Sequence, residues 1–325
     1  MNVVAIGGGT GLSSLLRGLK KEVGERIENL SAIVTVADSG GSTGRLRKAY
    51  HIPAPGDIRN CITALSESEE IMQQLFQYRF KGGELEGHAF GNLFLVALSD
   101  ITGSFMTAIK IASQILRTKG DIIPATLDNV HLCAEFSDGK VVVGEEEITN
   151  YGKEKKVKIK RIWIEPENTL TPIEAIARIE SADMIIFGPG SLYTSIIPNL
   201  LIKDIRQAVE RSKALKVFIV NAMTQPGETD GFTAYDHLAT FLEHSGIKKV
   251  DVVIVNTKMP PSPILKRYLE EGQEPVIPDV AKIAKEGFSV FAEDLIGDKE
   301  DFVRHDPDRL ADLLMRVYYN YAILS

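Results

Sequence analysis

Two apolar runs of strand length, Val3–Ile6 and Ala32–Ala37, each end abruptly in a loop of glycines and small hydroxyl residues. The first opens into Gly7-Gly8-Gly9-Thr10-Gly11, the second into Asp38-Ser39-Gly40-Gly41-Ser42-Thr43-Gly44. After the first loop, Leu12, Leu15, Leu16 and Leu19 recur at helical spacing, which predicts an amphipathic helix packing back on a sheet. Strand, glycine turn and helix in succession is the unit of a parallel sheet, and few fold classes are built from it. Glycine also lets the backbone approach a ligand and turn its N–H groups outward, and a helix N-terminus favours an anion. The pattern predicts a phosphate-bearing ligand.

The unit recurs along the chain. Pro55-Gly56-Asp57 precedes a helix whose apolar face is Ile58, Cys61, Ile62 and Leu65. Residues 93–98 read as a helix buried all round, and Ser104 to Leu116 as another. The middle changes character: Leu132–Phe136, an Asp138-Gly139 turn and Val141–Val143 read as a hairpin, and 153–164 alternates like a strand. We therefore expect a β-rich excursion over about 122–166. Alternation then resumes, with a capping box at Thr171-Pro172-Ile173-Glu174 and strands at Met184–Phe187, Lys216–Val220, Val250–Val255 and Phe288–Phe291. Thr233 caps a helix that Gly246 closes, and a last helix from Asp306-Pro307 buries Leu310, Leu313, Leu314 and Val317. The expected architecture is α/β: a Rossmann-like, mostly parallel sheet with helices on both faces, in one domain over 1–325 carrying the β-rich insertion.

Composition excludes several functions. A net charge of −7 opposes nucleic-acid binding by bulk electrostatics. No apolar run approaches the ~20 residues that span a bilayer, and the chain opens directly on a core strand, so no signal peptide is expected. Cys61 and Cys133 lack metal spacing and sit among apolar neighbours, as buried thiols do. A reducing cytoplasm is the expected compartment.

In an open α/β sheet, ligands bind beyond the carboxyl ends of the strands, and the unusual residues gather there. Gly8, Gly9, Thr10 and Gly11 form the first candidate anion loop. It departs from the dinucleotide fingerprint, because the sixth position from Gly7 is Leu12, which disfavours NAD. Asp38, Ser39, Gly40, Gly41 and Ser42 offer a carboxylate, hydroxyls and free N–H groups, a set suited to Mg²⁺ shared with a ligand's phosphates or to a direct hydrogen-bond cradle. Arg45 to Lys48 is either a solvated helix face or a phosphate clamp. Asp57 is either a helix cap or a site group; Arg59 could grip an anion bidentately, beside Asn60. His88 and Asn92 stand in Gly87-His88-Ala89-Phe90-Gly91-Asn92, and Gly188, Gly190, Ser191, Tyr193 and Thr194 form a further strand-to-glycine loop. Asn221 follows the next strand. No nucleophile–base pair or zinc spacing is evident, so the inventory fits phosphoryl-ligand handling by position and charge.

Together, Ile6-Gly7-Gly8-Gly9-Thr10-Gly11-Leu12, the Asp38–Ser42 loop, Pro55-Gly56-Asp57-Ile58-Arg59-Asn60, Gly87-His88 with Gly91-Asn92, and Gly188–Ser195 resemble the CofD/YvcK-like family, which contains 2-phospho-L-lactate transferase and the bacterial gluconeogenesis factor. Asn221 to Thr229, Arg267 to Gly272 and Arg304-His305-Asp306 resemble the gluconeogenesis-factor branch. That resemblance implies a cytoplasmic protein that binds a UDP-sugar such as UDP-N-acetylglucosamine and supports cell shape during gluconeogenic growth. Tyr268 and Arg304 match positions implicated in that binding, by stacking and by charge pairing, although Tyr268 alone reads equally well as a helix-packing residue. The transferase branch implies instead an Mg²⁺-dependent enzyme acting on a nucleotide-diphosphate donor, with Asp38 as its metal-site and catalytic acid. A homodimer and an unspecified regulatory protein partner are compatible with either.

Overall fold

The computed structural model describes residues 1–297 and 302–324. Ten strands are described in them: β1 (Asn2–Gly7), β2 (Asn29–Val34), β3 (Asp121–Pro124), β4 (His131–Phe136), β5 (Val141–Val143), β6 (Ile159–Glu165), β7 (Met184–Phe187), β8 (Leu215–Ile219), β9 (Val252–Asn256) and β10 (Ser289–Glu293). Seven form one sheet in the order β10-β9-β8-β7-β1-β2-β3, and every pairing in it is parallel. From β1 the chain builds outward to β2 and β3, then crosses back to place β7 on the other side of β1. The order therefore reverses between β1 and β7, and a parallel sheet opens a crevice at such a switch point. The glycine loops after β1 and β7 face each other there.

Why these segments are strands is plain from burial. β1, β2, β7 and β9 are covered on both faces, so continuous apolar runs such as Met184-Ile185-Ile186-Phe187 replace alternation. Helix Gly9–Glu22 buries Leu12, Leu15, Leu16 and Leu19 completely, and packs on helices Pro55–Leu65 and Pro307–Leu324. A second group, Ile173–Glu180, Ile197–Leu201, Lys203–Arg211 and Ala234–Ser245, packs together elsewhere on the sheet. Thr233 and Asp236 form a reciprocal capping box at the start of the last of these, and Gly246 ends it in the left-handed conformation. Cys61 and Cys133 are buried free thiols.

Several local expectations are corrected. Residues 122–124 are not part of the excursion: they form β3, the edge strand beside β2. The excursion proper is the antiparallel sheet β5-β4-β6, and between β5 and β6 lies a helix, Glu145–Lys155, that the strand reading of 153–164 overlooked. Its sequence is mostly charged, and it buries only Ile148 and Gly152, so it carries no apolar stripe to recognise. Thr171 forms no cap: the helix begins at Ile173 with Pro172 as its flanking residue, and Thr171 Oγ1 is buried without a partner among the described residues. A residue before proline is held extended, which sets Thr171 outside the helix. The apolar stretch 93–98 lies in helix Phe90–Thr102 but is not buried all round, since Ala97 is exposed.

Candidate functional site

At the switch point three loops line one cleft of about 660 Å³. Gly9, Thr10 and Gly11 come from the loop after β1, Asp38, Gly40 and Gly41 from that after β2, and Gly190, Ser191 and Thr194 from that after β7. Asn221, after β8, Tyr268 and Arg304 also line it. Two glycines make the convergence possible. A Cβ on Gly11 would lie 2.4 Å from the carbonyl oxygen of Pro189, so this residue is the contact between two loops. A Cβ on Gly8 would lie 2.6 Å from Asp57 Oδ2. Part of the glycine density thus serves loop packing, not ligand approach.

Side chains fix the loops to one another. Asn221 exchanges two hydrogen bonds with Gly190: it accepts from the backbone N–H at 3.1 Å and donates to the carbonyl at 2.7 Å. Asn199 donates to the carbonyls of Gly7 and Ser195 from a fully buried position. Glu228 accepts from Ser191 Oγ, from Thr149 Oγ1 at 2.9 Å and from the Tyr193 N–H, so it straps the β7 loop to the insertion helix. Arg47 is neither a solvated residue nor a clamp. It is 4% exposed and donates to the carbonyls of Ala37 and Asp38, and to Asn129 and Val130, bracing the base of the Asp38 loop.

The electrostatics are unusual for a phosphate site. Among the described residues, Asp38, Glu145, Glu146 and Glu228 line the cleft against one arginine, Arg304. Asp38 Oδ1 accepts the Gly40 N–H at 2.8 Å, and its carboxyl also bonds to Glu145. Burial, then the charges of Asp38 and Asp57, hold the Glu145 carboxyl well above the usual carboxylate range. Asp57 stands just behind Gly8 and accepts from the Gly9 N–H and from Asn60. Burial and the neighbouring Asp38 push it up to about 7. It is not a cap, because the helix begins at Pro55. His305 is pushed down to about 4 by burial and is neutral at pH 7.

The remaining candidates are placed around this centre. Arg59 and Asn60 line a smaller neighbouring pocket with Thr10, Ser13, Arg17, Gln77 and Arg304. Ser42 Oγ meets His88 Nδ1 at 2.9 Å, and Ser39 donates to Glu147, so Ser42, His88 and Ser39 support the second loop without lining the cleft. Burial, with Arg45 and Arg79 nearby, holds the His88 imidazolium below its ordinary range. Gly188 continues the β1 ladder through its N–H to Ile6, at φ +81°. Two candidates are corrected. Asn92 is 1% exposed in the core and lines neither cavity. Tyr193 turns away from the cleft, bonds to Thr240 and packs its ring 5.3 Å from that of His244. Sequence reasoning missed Glu145, Glu146, Thr149 and Asn150, which reach the cleft from the insertion helix. It also missed Glu228, although that residue lies in the Asn221–Thr229 segment already singled out.

Fold and cleft define a Rossmann-like α/β protein with a candidate ligand cleft at the sheet's switch point. The profile of the family described as 2-phospho-L-lactate transferase CofD matches residues 3–296, and the chain belongs to that family. Its relatives narrow the branch. A *Bacillus subtilis* (strain 168) gluconeogenesis factor is 45% identical, covering 96% of each chain. An *Aquifex aeolicus* (strain VF5) protein, whose gluconeogenesis-factor designation is provisional, is 68% identical over 98% of this chain and 97% of its own. A crystal structure of a UPF0052-family protein from *Bacillus halodurans* superposes with a TM-score of 0.91 at 43% identity, covering 97% of this chain and 98% of that one.

Proposed function

We propose that the chain is a cytoplasmic gluconeogenesis factor that binds a UDP-sugar, UDP-N-acetylglucosamine, in the switch-point cleft, and that it supports cell shape during gluconeogenic growth as a metabolite sensor. The observation that carries the reading is the meeting of three glycine loops, Tyr268 and Arg304 around one cavity of nucleotide size. The backbone of Thr10 and Gly11 offers N–H groups to a diphosphate at the start of helix Gly9–Glu22. Tyr268 is half-buried, with its hydroxyl fixed by the Val303 N–H at 3.0 Å, so its ring is held still for stacking. Arg304 supplies the positive charge. The relatives' designation supports this role over redox chemistry.

Mg²⁺ fits the donor chemistry of the cleft in one form. Among the described residues no three His, Cys, Asp or Glu side chains form a protein-only cage. Asp38 with ligand phosphate oxygens and water is the set Mg²⁺ ordinarily takes. The ion would neutralise the diphosphate beside four acids. The same acids favour a second reading, an Mg²⁺-dependent transferase of the 2-phospho-L-lactate transferase type, in which Asp38 holds the metal.

Calorimetry with UDP-N-acetylglucosamine, GDP and NAD, each with and without Mg²⁺, separates these. Tight UDP-sugar binding without turnover supports the sensor. Consumption of a phospholactyl nucleotide with a deazaflavin acceptor overturns it. Asp38→Asn abolishes turnover under the enzyme reading and only weakens binding under the sensor reading. If it changes neither, the site is misplaced.

A further inference from the structure

Beyond the wall made by Thr10 and Arg304 lies the smaller pocket, of about 240 Å³. Arg17, Arg59 and Arg304 line it with the amides of Asn60 and Gln77, and among the described residues its lining holds no carboxylate. This reverses the charge of the cleft next door. The three guanidinium groups come from three separate elements: helix Gly9–Glu22, helix Pro55–Leu65 and the segment before helix Pro307–Leu324. The fold, not the local chain, gathers like charges here. Arg59 is 8% exposed. Its Nη2 donates to Asn60 Oδ1 at 2.7 Å, while its Nε is sealed from solvent and has no hydrogen-bond partner among the described residues. A planar guanidinium fork is shaped for an oxyanion.

We propose that this pocket binds a second ligand, a small phosphomonoester dianion, alongside the occupant of the cleft. Three cations favour a dianionic phosphate over a singly charged carboxylate. The phosphates of a nucleotide sugar are both internal to the molecule, so such a ligand has no terminal dianion to place here. The pocket's volume suits a phosphate on a short carbon chain. The assignment goes beyond the cleft's proposed occupant, and the exclusion of that occupant from the pocket rests on its being a nucleotide sugar.

The test is calorimetry with inorganic phosphate on the nucleotide-free full chain, with acetate as the carboxylate arm. Saturable binding of one phosphate per chain is expected, with acetate at least about tenfold weaker. Arg17 lines this pocket and not the cleft, and it is exposed, so Arg17→Gln localises the site without threatening the core. Arg17→Gln and Arg59→Lys should each weaken phosphate about tenfold, the second by losing the fork while keeping the charge. Should Arg59→Lys fail to fold, Arg17→Gln decides. No saturable phosphate binding, or binding that Arg17→Gln leaves unchanged, overturns the proposal. So does one-for-one displacement of phosphate by UDP-N-acetylglucosamine, which would mean that the cleft's own ligand fills the pocket. Failure of UDP-N-acetylglucosamine to bind, with phosphate still held by Arg17, would count against the cleft reading alone.

Discussion

At the scale of single residues, the chemistry lies in acids that the fold keeps partly protonated. Asp57 is raised to about 7 from an ordinary value near 3.8. Between those values the folded chain holds a proton that the unfolded chain has released, so stability falls as pH rises from about 4 through about 7. Asp57→Asn keeps an acceptor for the Gly9 N–H and removes the charge, and should raise Tm at pH 8 while changing it little at pH 4. Thermal melts at both values check this. The same ionisation adds negative charge beside the glycine loop, so without Mg²⁺ the affinity for a nucleoside diphosphate should fall between pH 6 and pH 8. Calorimetry across that range would show it, and an affinity that rises instead would contradict the placement of Asp57. Gly11→Ala drives a methyl into the Pro189 carbonyl and should cost about 1–3 kcal/mol. Gly82→Ala, which meets nothing within 4 Å, is the neutral control in urea unfolding. Much of the residue-level chemistry was legible, because Thr10, Asp38, Gly190 and Ser191 stand at strand ends, where sheet geometry aims them. Arg17 was hidden because it lies one helical turn and more beyond the loop, on a face that reads as solvated. Asn92 and Tyr193 misled for the opposite reason: polar groups beside glycines can equally be buried for packing.

At the scale of elements, the insertion helix Glu145–Lys155 is the piece that sequence could not supply. It is charged at both ends, and its docking depends on Gly152 lying flat on Gly227, where a Cβ would approach the Gly227 carbonyl to 2.0 Å. Nothing local announces a contact between residues 75 positions apart. Its three N-terminal glutamates suit a helix start, where the dipole favours anions, and two of them then face the cleft. Glu228 ties this helix to the β7 loop. Glu228→Gln presents an amide donor to hydroxyls that already donate, and should destabilise the chain by about 1–3 kcal/mol. It should also weaken nucleotide-sugar binding, because Ser191 and Thr149 lose their common acceptor. Unfolding in urea and calorimetry on the same sample test both. If stability falls while affinity holds, the strap is structural only.

At the scale of the whole molecule, strand order decides where the site is. The sequence shows strands and helices in alternation, but β7 rather than β3 borders β1 because the chain crosses back over the sheet, and no local pattern encodes that crossing. The expected parallel sheet and the glycine loops were legible; their meeting in one cleft required the order β10-β9-β8-β7-β1-β2-β3. A ligand held between both halves of such a sheet stabilises the whole. UDP-N-acetylglucosamine at about 100 times its Kd should add about 2.7 kcal/mol to unfolding and raise Tm by several degrees. NAD should leave Tm unchanged, and an NAD shift equal to that of the UDP-sugar would return the fold to the dinucleotide-binding class.

Thr10 and Arg304 face both cavities at once. Any molecule that repositions them from one side alters the welcome met by a molecule arriving on the other, and thermodynamic reciprocity makes the influence equal in both directions. With both pockets filled as proposed, such a protein would compare two concentrations instead of reporting one.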